Sequence, residues 1–246
     1  MDLKQIRRCE DHWRELFAEK RSFNEHLDRW YNPKLPDQYT TNAFFPKAAV
    51  SREDVAQAYA YQLKQQPGFL QFMCREPMDK ALAEEFQLKE NIVLTMAVDA
   101  PDFPQWKNNA ALIIKDVQSE DIAGEIMEFH IRNEGGESDY PARSIRQDME
   151  AAAEYPEYHW LAAYLNEELV AICHALCFAG CVEIDDLFVA PHARGQYVAT
   201  SMLRYIAEHF SGTLYLHADE DDTPRFLYEK LGFAVVDRCW EYRRTW

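Results

Sequence analysis

Apolar residues near the start of the chain recur at three- and four-residue steps, at Leu3, Ile6, Cys9, Trp13 and Leu16. This period predicts a helix over residues 3–24. Ser51, followed by acidic residues, is a good N-cap and predicts a second helix that ends before Pro67-Gly68. The other elements predicted in this part are a proline-broken loop at 31–39, a strand at 69–74, a helix at 77–86 and a strand at 91–98.

Beyond residue 99 the pattern again alternates between short apolar runs and amphipathic segments. Residues 99–107 contain two prolines and show no period, which predicts a linker. Strands are predicted at 111–117, 160–165, 169–176, 182–189, 213–218 and 233–243. Helices are predicted from Ser119 to about Ile131 and at 142–154, 198–210 and 223–231, with a loop at 135–141. This order of elements predicts a mixed α/β (α+β) fold.

The two ends of the chain share one pattern. The last part runs helix, G-T-L-Y-L-H-A-D, helix ending Y-E-K-L-G-F, then A-V-V-D-R-C-W. The first hundred residues run helix, P-G-F-L-Q-F-M-C-R, helix ending E-E-F-Q-L, then N-I-V-L-T-M-A-V, about 144 residues earlier. We interpret this as two tandem related halves, with domains at 1–107 and 108–246. The alternative is coincidence, because any α/β chain alternates such elements.

Composition and charge limit the class of protein. The 246 residues are 48% hydrophobic and 13% aromatic, which is enough to build a packed core. The formal net charge of −16 argues against a nucleic-acid partner, and it fits either a cationic substrate or a merely solubilising surface. No apolar run approaches the roughly 18 residues that span a bilayer, and the N-terminus lacks an apolar signal core. We therefore expect no membrane partner and a cytoplasmic location.

Three cysteines, Cys173, Cys177 and Cys181, lie four residues apart beside His174. A structural zinc site needs a second, distant ligand pair, and none is evident. The three cysteines fall in predicted strands, where small buried thiols are common. We therefore predict core thiols and no metal.

The stretch A-R-G-Q-Y-V-A-T lies between a predicted strand and a helix predicted to begin near Val198. The first turn of a helix presents unpaired backbone N–H groups and a partial positive charge. Gly195 permits a tight turn and Arg194 adds a full charge, so this end suits a pyrophosphate. A basic glycine turn before a helix is also common as plain structure.

Two motifs in order make the sequence resemble the GNAT superfamily of acetyl-CoA-dependent N-acetyltransferases, over about residues 110–246. The family's motif Q/R-x-x-G-x-G/A falls on residues 194–199, where Arg194 and Ala199 fit and Tyr197 replaces the middle glycine. The late helix ending Y-x-K-x-G-F matches residues 228–233. The first half has no such loop near Gln66-Pro67-Gly68, which suggests a degenerate GNAT-like half.

The resemblance implies a GNAT-like twisted, mostly antiparallel sheet flanked by helices, with fourth and fifth strands that splay apart, often at a bulge. It also implies acetyl transfer from acetyl-CoA to a primary amine by direct attack. The residues implied to bind acetyl-CoA are Leu187, Phe188, Val189, Arg194, Gly195, Gln196, Tyr197, Val198, Ala199 and Thr200. For Tyr197 we predict ordinary helical or bridge geometry, with the ring outward or against the cofactor.

Three carboxylates crowd the strand before the loop, and charge is costly in a core strand. Glu183 lies eleven residues before Arg194, the spacing of the base glutamate in the histone-acetyltransferase branch of the family. Asp185 shares its strand face, and Asp186 would point the other way unless a bulge intervenes. The functional interpretation is a base, Glu183, with Asp185 in an acidic mouth that holds an amine. The alternative is a strand end at the solvated rim.

Tyr228 stands where many family members place the tyrosine that protonates the departing thiolate, although a packed aromatic is the ordinary role of such a residue. His217 is an alternative base or substrate contact, or a satisfied core histidine. The sequence leaves the acceptor open between a small-molecule amine and a protein amino group. It also leaves open a monomer or a homodimer. The rival function is a catalytically inactive CoA-binding regulatory or protein-docking module of the same fold.

Overall fold

A computed structural model describes residues 1–65, 67–117, 123–134 and 139–246. The helices in these ranges are α1 Leu3–Phe17, α2 Arg52–Gln65, α3 Lys80–Glu85, α4 Ala123–Glu134, α5 Tyr140–Glu154, α6 Val198–His209 and α7 Pro224–Lys230. The strands are β1 Glu19–Ser22, β2 Leu27–Tyr31, β3 Phe44–Pro46, β4 Phe69–Cys74, β5 Lys89–Asp99, β6 Leu112–Asp116, β7 Tyr158–Leu165, β8 Glu168–Phe178, β9 Cys181–Val189, β10 Thr213–Asp219 and β11 Ala234–Thr245. None of these helices has both the length and the apolar character needed to cross a membrane.

The predicted fold class is confirmed: the fold is mixed α/β, with a large, mostly antiparallel sheet flanked by helices. Two predictions about the first fifty residues are wrong. The first helix ends at Phe17 rather than at residue 24, and three strands, β1 to β3, were not expected. All four residues of β1 are exposed and it contains no apolar alternation, so the strand pattern is missing from its sequence. The predicted cap Ser119 and much of the loop at 135–141 lie outside the described residues.

The chain divides into two compact units. Unit 1 comprises Met1–Trp13, Met96–His217 and Phe226–Ala234. Its strands follow the order β10-β9-β8-β7-β6, with the end of β5 beside β10, and only β9 and β10 are parallel among the registered pairs. Tyr158 and His159 are consecutive on β7 and point to opposite faces: Tyr158 contacts α5 and His159 packs on Phe210 at the end of α6. Helices therefore cover both faces of this part of the sheet.

Unit 2 comprises Arg14–Thr95, Ala218–Arg225 and Val235–Trp246. Its strand order is β1-β2-β3-β4-β11-β5, and β11, the last strand of the chain, pairs antiparallel with β4. An aromatic and aliphatic core fills it, including Phe44, Leu70, Phe72 and Tyr242. The units do not follow chain order, whereas the predicted domains 1–107 and 108–246 do. That domain division remains a proposal.

The repeated element order is present in the structure. The series α2, β4, α3, β5 has the same order as α6, β10, α7, β11, and Gly68 and Gly212, which precede β4 and β10, both have positive φ. A parallel strand precedes each series, β3 beside β4 and β9 beside β10. The counterpart of the loop at 194–197 is therefore residues 47–51, between β3 and α2. The sequence comparison near Gln66-Pro67-Gly68 placed it wrongly, at the end of α2.

Candidate active site

The predicted strand, basic turn and helix are all present around Gly195. Strand β9 ends at Val189, a 3₁₀ turn covers Pro191–Ala193, and α6 begins at Val198. Gly195 has a φ of +76°, the left-handed region that glycine enters without steric cost. The turn is accordingly built around this glycine.

The backbone geometry predicted for Tyr197 is wrong. Its φ is +61° and its ψ is 21°, a left-handed conformation and neither helical nor bridge geometry. Tyr197 thus adopts a conformation that glycine, the residue of the family pattern here, would enter without steric cost, at a penalty of roughly 1–2 kcal/mol. The side chain is 49% exposed, in agreement with a ring that points outward.

The N-terminus of α6 carries none of its own counter-charge. Tyr197 makes no capping hydrogen bond and the first turn contains no acidic residue. Within the described chain, the backbone N–H groups of Val198, Ala199 and Thr200 donate to no protein acceptor. Unpaired N–H groups and the helix dipole together favour an anion at this end.

Asn109 fixes the loop from outside. Its side-chain amide donates to the Gln196 carbonyl (3.2 Å) and its backbone N–H donates to Ser201 Oγ (2.8 Å). Ser201 Oγ in turn donates to the Tyr197 carbonyl at 2.8 Å. Sequence reasoning missed Asn109, because nothing in an irregular segment marks a residue that contacts a distant loop. Arg194 Nε donates to the Val189 carbonyl at 3.1 Å, which orients the guanidinium along the end of β9.

Strands β9 and β10 pair over only part of their length. The registered pairs join Cys181 to Thr213 through Ile184 to Leu216. The pairing of β9 with β8 then shifts by one residue opposite Ile172 and His174, and Asp186 has a φ of +49°. This is a β-bulge, which bends a strand and interrupts its pairing. Leu187, Phe188 and Val189 lie beyond the segment of β9 that pairs with β10.

Glu183 is buried, which rules out the solvated-rim alternative for this residue. It is 5% exposed, and Tyr215 Oη donates to its carboxylate at 2.6 Å. His217 Nε2 lies 3.7 Å from Glu183 Oε1 and 3.7 Å from Glu10 Oε1 on α1. The side chain of His217 is 34% exposed, against 6% for Glu183 and 3% for Glu10. The solvent-facing member of this cluster is therefore the imidazole.

Asp185 and Asp186 lie on the other side of the bulge and are both exposed to solvent. The Asp186 carboxylate reaches His130 Nε2 on α4, at 3.6 Å. Asp185 is directly opposite His174 on β8. Protein atoms packed around the Asp185 carboxyl raise its pKa above the usual value, although part of the residue still meets solvent. The sequence left open whether a bulge intervenes at Asp186. The structure contains this bulge, and it brings the Asp186 side chain to α4.

Tyr228 is half-buried on α7, and its ring packs edge-on against Phe233 at 6.0 Å. The three clustered cysteines are core thiols, as predicted. Cys173 and Cys181 are buried and Cys177 is half-buried. Burial raises the pKa of Cys177 to about 12 and that of Cys181 to about 11. In the described ranges, no group of three or more His, Cys, Asp or Glu side chains is arranged to hold a metal ion.

The acetyltransferase (GNAT) family model matches residues 123–233, which include β9, the loop, α6, β10 and α7. Residues 123–233 form a GNAT acetyltransferase domain. The GNAT fold supports acyl transfer in general, and this domain contains all the features described above except Asn109 and Glu10. No curated protein sequence matches the chain.

Solved structures share the GNAT domain's fold and extend the similarity over the whole chain. A functionally unknown conserved protein from Staphylococcus epidermidis matches with a TM-score of 0.79 and 17% identity, over 93% of this chain and 94% of that one. A GCN5-related N-acetyltransferase from Kribbella flavida matches with a TM-score of 0.65 and 14% identity, over 99% and 96%. A tandem GNAT protein from the clavulanic acid biosynthesis pathway matches with a TM-score of 0.55 and 14% identity, over 89% and 78%. At these identities the likeness concerns the fold alone.

Proposed function

We propose that this protein transfers an acetyl group from acetyl-CoA to the primary amine of a small molecule or a protein, in the cytoplasm and without nucleic-acid or membrane partners. The observation that carries the proposal is the open N-terminus of α6. It follows two left-handed residues, Gly195 and Tyr197, at the end of a strand that has separated from its parallel neighbour. Its N–H groups have no internal carboxylate, so they fit the pyrophosphate of CoA.

The residues of the GNAT motif would hold the cofactor in two parts. Backbone groups from Arg194 to Thr200 would bind the pyrophosphate, and Leu187 to Val189, beyond the paired part of β9, would hold the pantetheine arm. A strand N–H in this segment would polarise the acetyl carbonyl. When bound, acetyl-CoA supplies an acyl thioester whose sulfur leaves as a thiol.

Glu183 is the proposed base, and its position suggests how the proton reaches it. An ammonium must lose a proton before its nitrogen can attack. Glu183 is buried behind His217, which is exposed and lies 3.7 Å away, so we propose that the proton passes through the imidazole. Asp185 would hold the acceptor molecule near this pair.

Tyr228 is the proposed acid. The amine nitrogen forms the new N–C bond as the C–S bond breaks, and the nitrogen then gives up its second proton to solvent. Tyr228 Oη donates one proton to sulfur and regains one from solvent, so that the products are an amide and a thiol. The half-buried position on α7 leaves the phenol partly reachable.

The test is a thermal-shift titration with acetyl-CoA, followed by thiol release over a panel of amines. Glu183→Gln and Tyr228→Phe should each lower turnover by about a hundredfold while acetyl-CoA binding stays nearly intact. Tyr205→Phe on α6 is the matched control and should change neither quantity. Unchanged rates in both variants would remove these two roles. Acetyl-CoA binding without thiol release from any amine would favour the inactive CoA-binding module.

A further inference from the structure

A second group of polar side chains in unit 1 surrounds the β9 bulge on the side covered by α4 and α5. Asp148 of α5 accepts a hydrogen bond from Tyr158 Oη on β7 at 3.4 Å. Asp185 and Asp186 face the same side, and Asp186 reaches His130 on α4. Three carboxylates from two elements therefore meet beside the proposed base.

The three carboxylates repel one another. Burial, and next the charges of Asp186 and Asp185, raise the pKa of Asp148 well above its usual value. Protein atoms packed around the carboxyl of Asp185 likewise raise its pKa. His130 is a potential counter-charge, at Asp186. Such a cluster destabilises the free protein and favours a cation, but acidic residues alone do not define a site.

His174 provides the independent observation. Its ring packs against the rings of Tyr158 and Trp160, with centroid distances of 5.5 Å and 4.7 Å, and the residue is directly opposite Asp185 in the β8–β9 register. The residue is 4% exposed, and its Nε2 has no hydrogen-bond partner among the described residues. Burial, with a smaller contribution from His130, lowers the pKa of His174 to about 3. The ring is therefore neutral at physiological pH, and a neutral imidazole nitrogen can accept a hydrogen bond from an ammonium.

We propose that the acceptor is a short aliphatic diamine or polyamine, and that its distal ammonium is held by Asp148, Asp185 and Asp186, with His174 Nε2 accepting one hydrogen bond. This inference rests on the proposed function. Asp185 is two positions after Glu183 on β9, which is roughly 7 Å at the rise of a β-strand. A short alkyl chain thus places one amine at the His217–Glu183 pair while the other remains at the carboxylates.

Calorimetry with 1,4-diaminobutane and butylamine tests the inference, both on the protein alone and on the protein saturated with CoA. The two ligands share the alkyl chain and one ammonium, so the difference reports the second charge. The diamine should bind at least about tenfold more tightly, as expected for one charge-assisted hydrogen-bonding group. Its affinity should fall as salt rises.

Asp186→Asn should reduce diamine affinity at least about tenfold and leave butylamine binding unchanged. Glu208→Gln, on the outer surface of α6 in an ion pair with Arg204, is the control and should change neither. Asp148→Asn should weaken diamine binding and yet raise the melting temperature of the free protein, a combination that a purely structural carboxylate would not give.

Equal affinities for the two ligands, or an unchanged diamine affinity in Asp186→Asn, would overturn the inference. If acetyl-CoA still shifts the melting temperature in that case, only the substrate class is wrong. If acetyl-CoA causes no shift, the proposed function fails, and the diamine result on the protein alone still decides the ammonium site.

Discussion

The chain builds a strand, a turn and a helix twice, and the two helices begin differently. At α2, Ser51 Oγ accepts from the Asp54 N–H at 3.1 Å, and an Asp54 carboxylate oxygen accepts from the Ser51 N–H at 3.1 Å. This is a reciprocal capping box with an acidic residue. Burial alone would raise the pKa of Asp54, but its hydrogen bonds, led by those from Ser51, lower it below the usual value. At α6 no side chain fills the corresponding position.

The α2 end is therefore capped by its own side chains, whereas the α6 end is open to an external anion. The carboxylate of Asp54 already occupies the place where an external anion would sit, and the turn at 47–51 contains no glycine. The α6 turn has two left-handed residues and an unfilled first turn. Of the two turns, only the one before α6 leaves backbone N–H groups open to an anion, although the elements follow in the same order at both.

The largest effect is expected for a substitution at Ala199, in the first turn of α6. Ala199→Asp would place in α6 the negative charge that α2 already has, and should lower acetyl-CoA affinity by up to about a thousandfold. Two like charges about 4 Å apart near a protein surface repel by roughly 4 kcal/mol. Ala199→Asn, of the same shape, should lose little affinity. Calorimetry with acetyl-CoA measures both, and equal binding by Ala199→Asp and the natural protein would move the pyrophosphate away from α6.

The glycines that precede β4 and β10 give the next prediction. Gly212 has a φ of +119°, and a Cβ there would stand 2.2 Å from the Gly180 carbonyl oxygen. Gly68 has a φ of +85°, and a Cβ would meet no atom closer than 3.9 Å. Gly212→Ala should therefore cost about 3 kcal/mol of unfolding free energy, and Gly68→Ala only the left-handed penalty of about 1–2 kcal/mol. Urea denaturation measures both; similar losses would mean that the β10 turn relaxes freely.

The sequence predicted best where one face of an element is strongly apolar or where a cap is local. Residues 69–74, predicted as a strand, are β4, and the predicted starts of α6 and β9 are within one residue. It failed at β1, whose residues are all exposed, and at β3, which has three residues. Periodicity needs a buried face and several residues to be detectable.

For the proposed site, the sequence pointed to Glu183 through its spacing from Arg194 and to Asp185 through its strand face, but not to the groups beside them. Glu10, Asp148 and His174 reach the site only through tertiary packing of distant segments. The prediction of helical or bridge geometry for Tyr197 was wrong, because it treated the steric cost of a positive φ as decisive. A penalty of roughly 1–2 kcal/mol is small against the packing of a loop that Asn109 and Ser201 hold in place.

A third prediction uses the pH dependence of stability in the second half. The pKa of Asp148 is raised in the folded state, so its contribution is fully favourable below its unfolded value of 3.8 and is lost as the pH rises through the folded value. Asp148→Asn removes this loss and keeps an oxygen for Tyr158. It should stabilise the protein by about 1–2 kcal/mol at pH 7, or a few degrees of melting temperature, with almost no gain near pH 4. Asp54→Asn, whose carboxyl has the opposite shift, should destabilise at pH 7. Melting curves at both pH values decide; a stabilisation that does not depend on pH would contradict the charge argument.

The smallest effect is expected at Tyr197 and at Gln87, which follows α3 in the first half with a φ of +56°. Glycine at either position relieves the left-handed penalty but adds flexibility to the unfolded chain, so Tyr197→Gly and Gln87→Gly should each stabilise by about 0.5–1 kcal/mol. If the ring of Tyr197 points into solvent, Tyr197→Gly leaves the affinity for acetyl-CoA unchanged, and so does Gln87→Gly. A tenfold loss at Tyr197 alone would show that the ring contacts the cofactor. The tyrosine would then be a binding residue in the position where the family pattern has a glycine, and not merely a tolerated substitute.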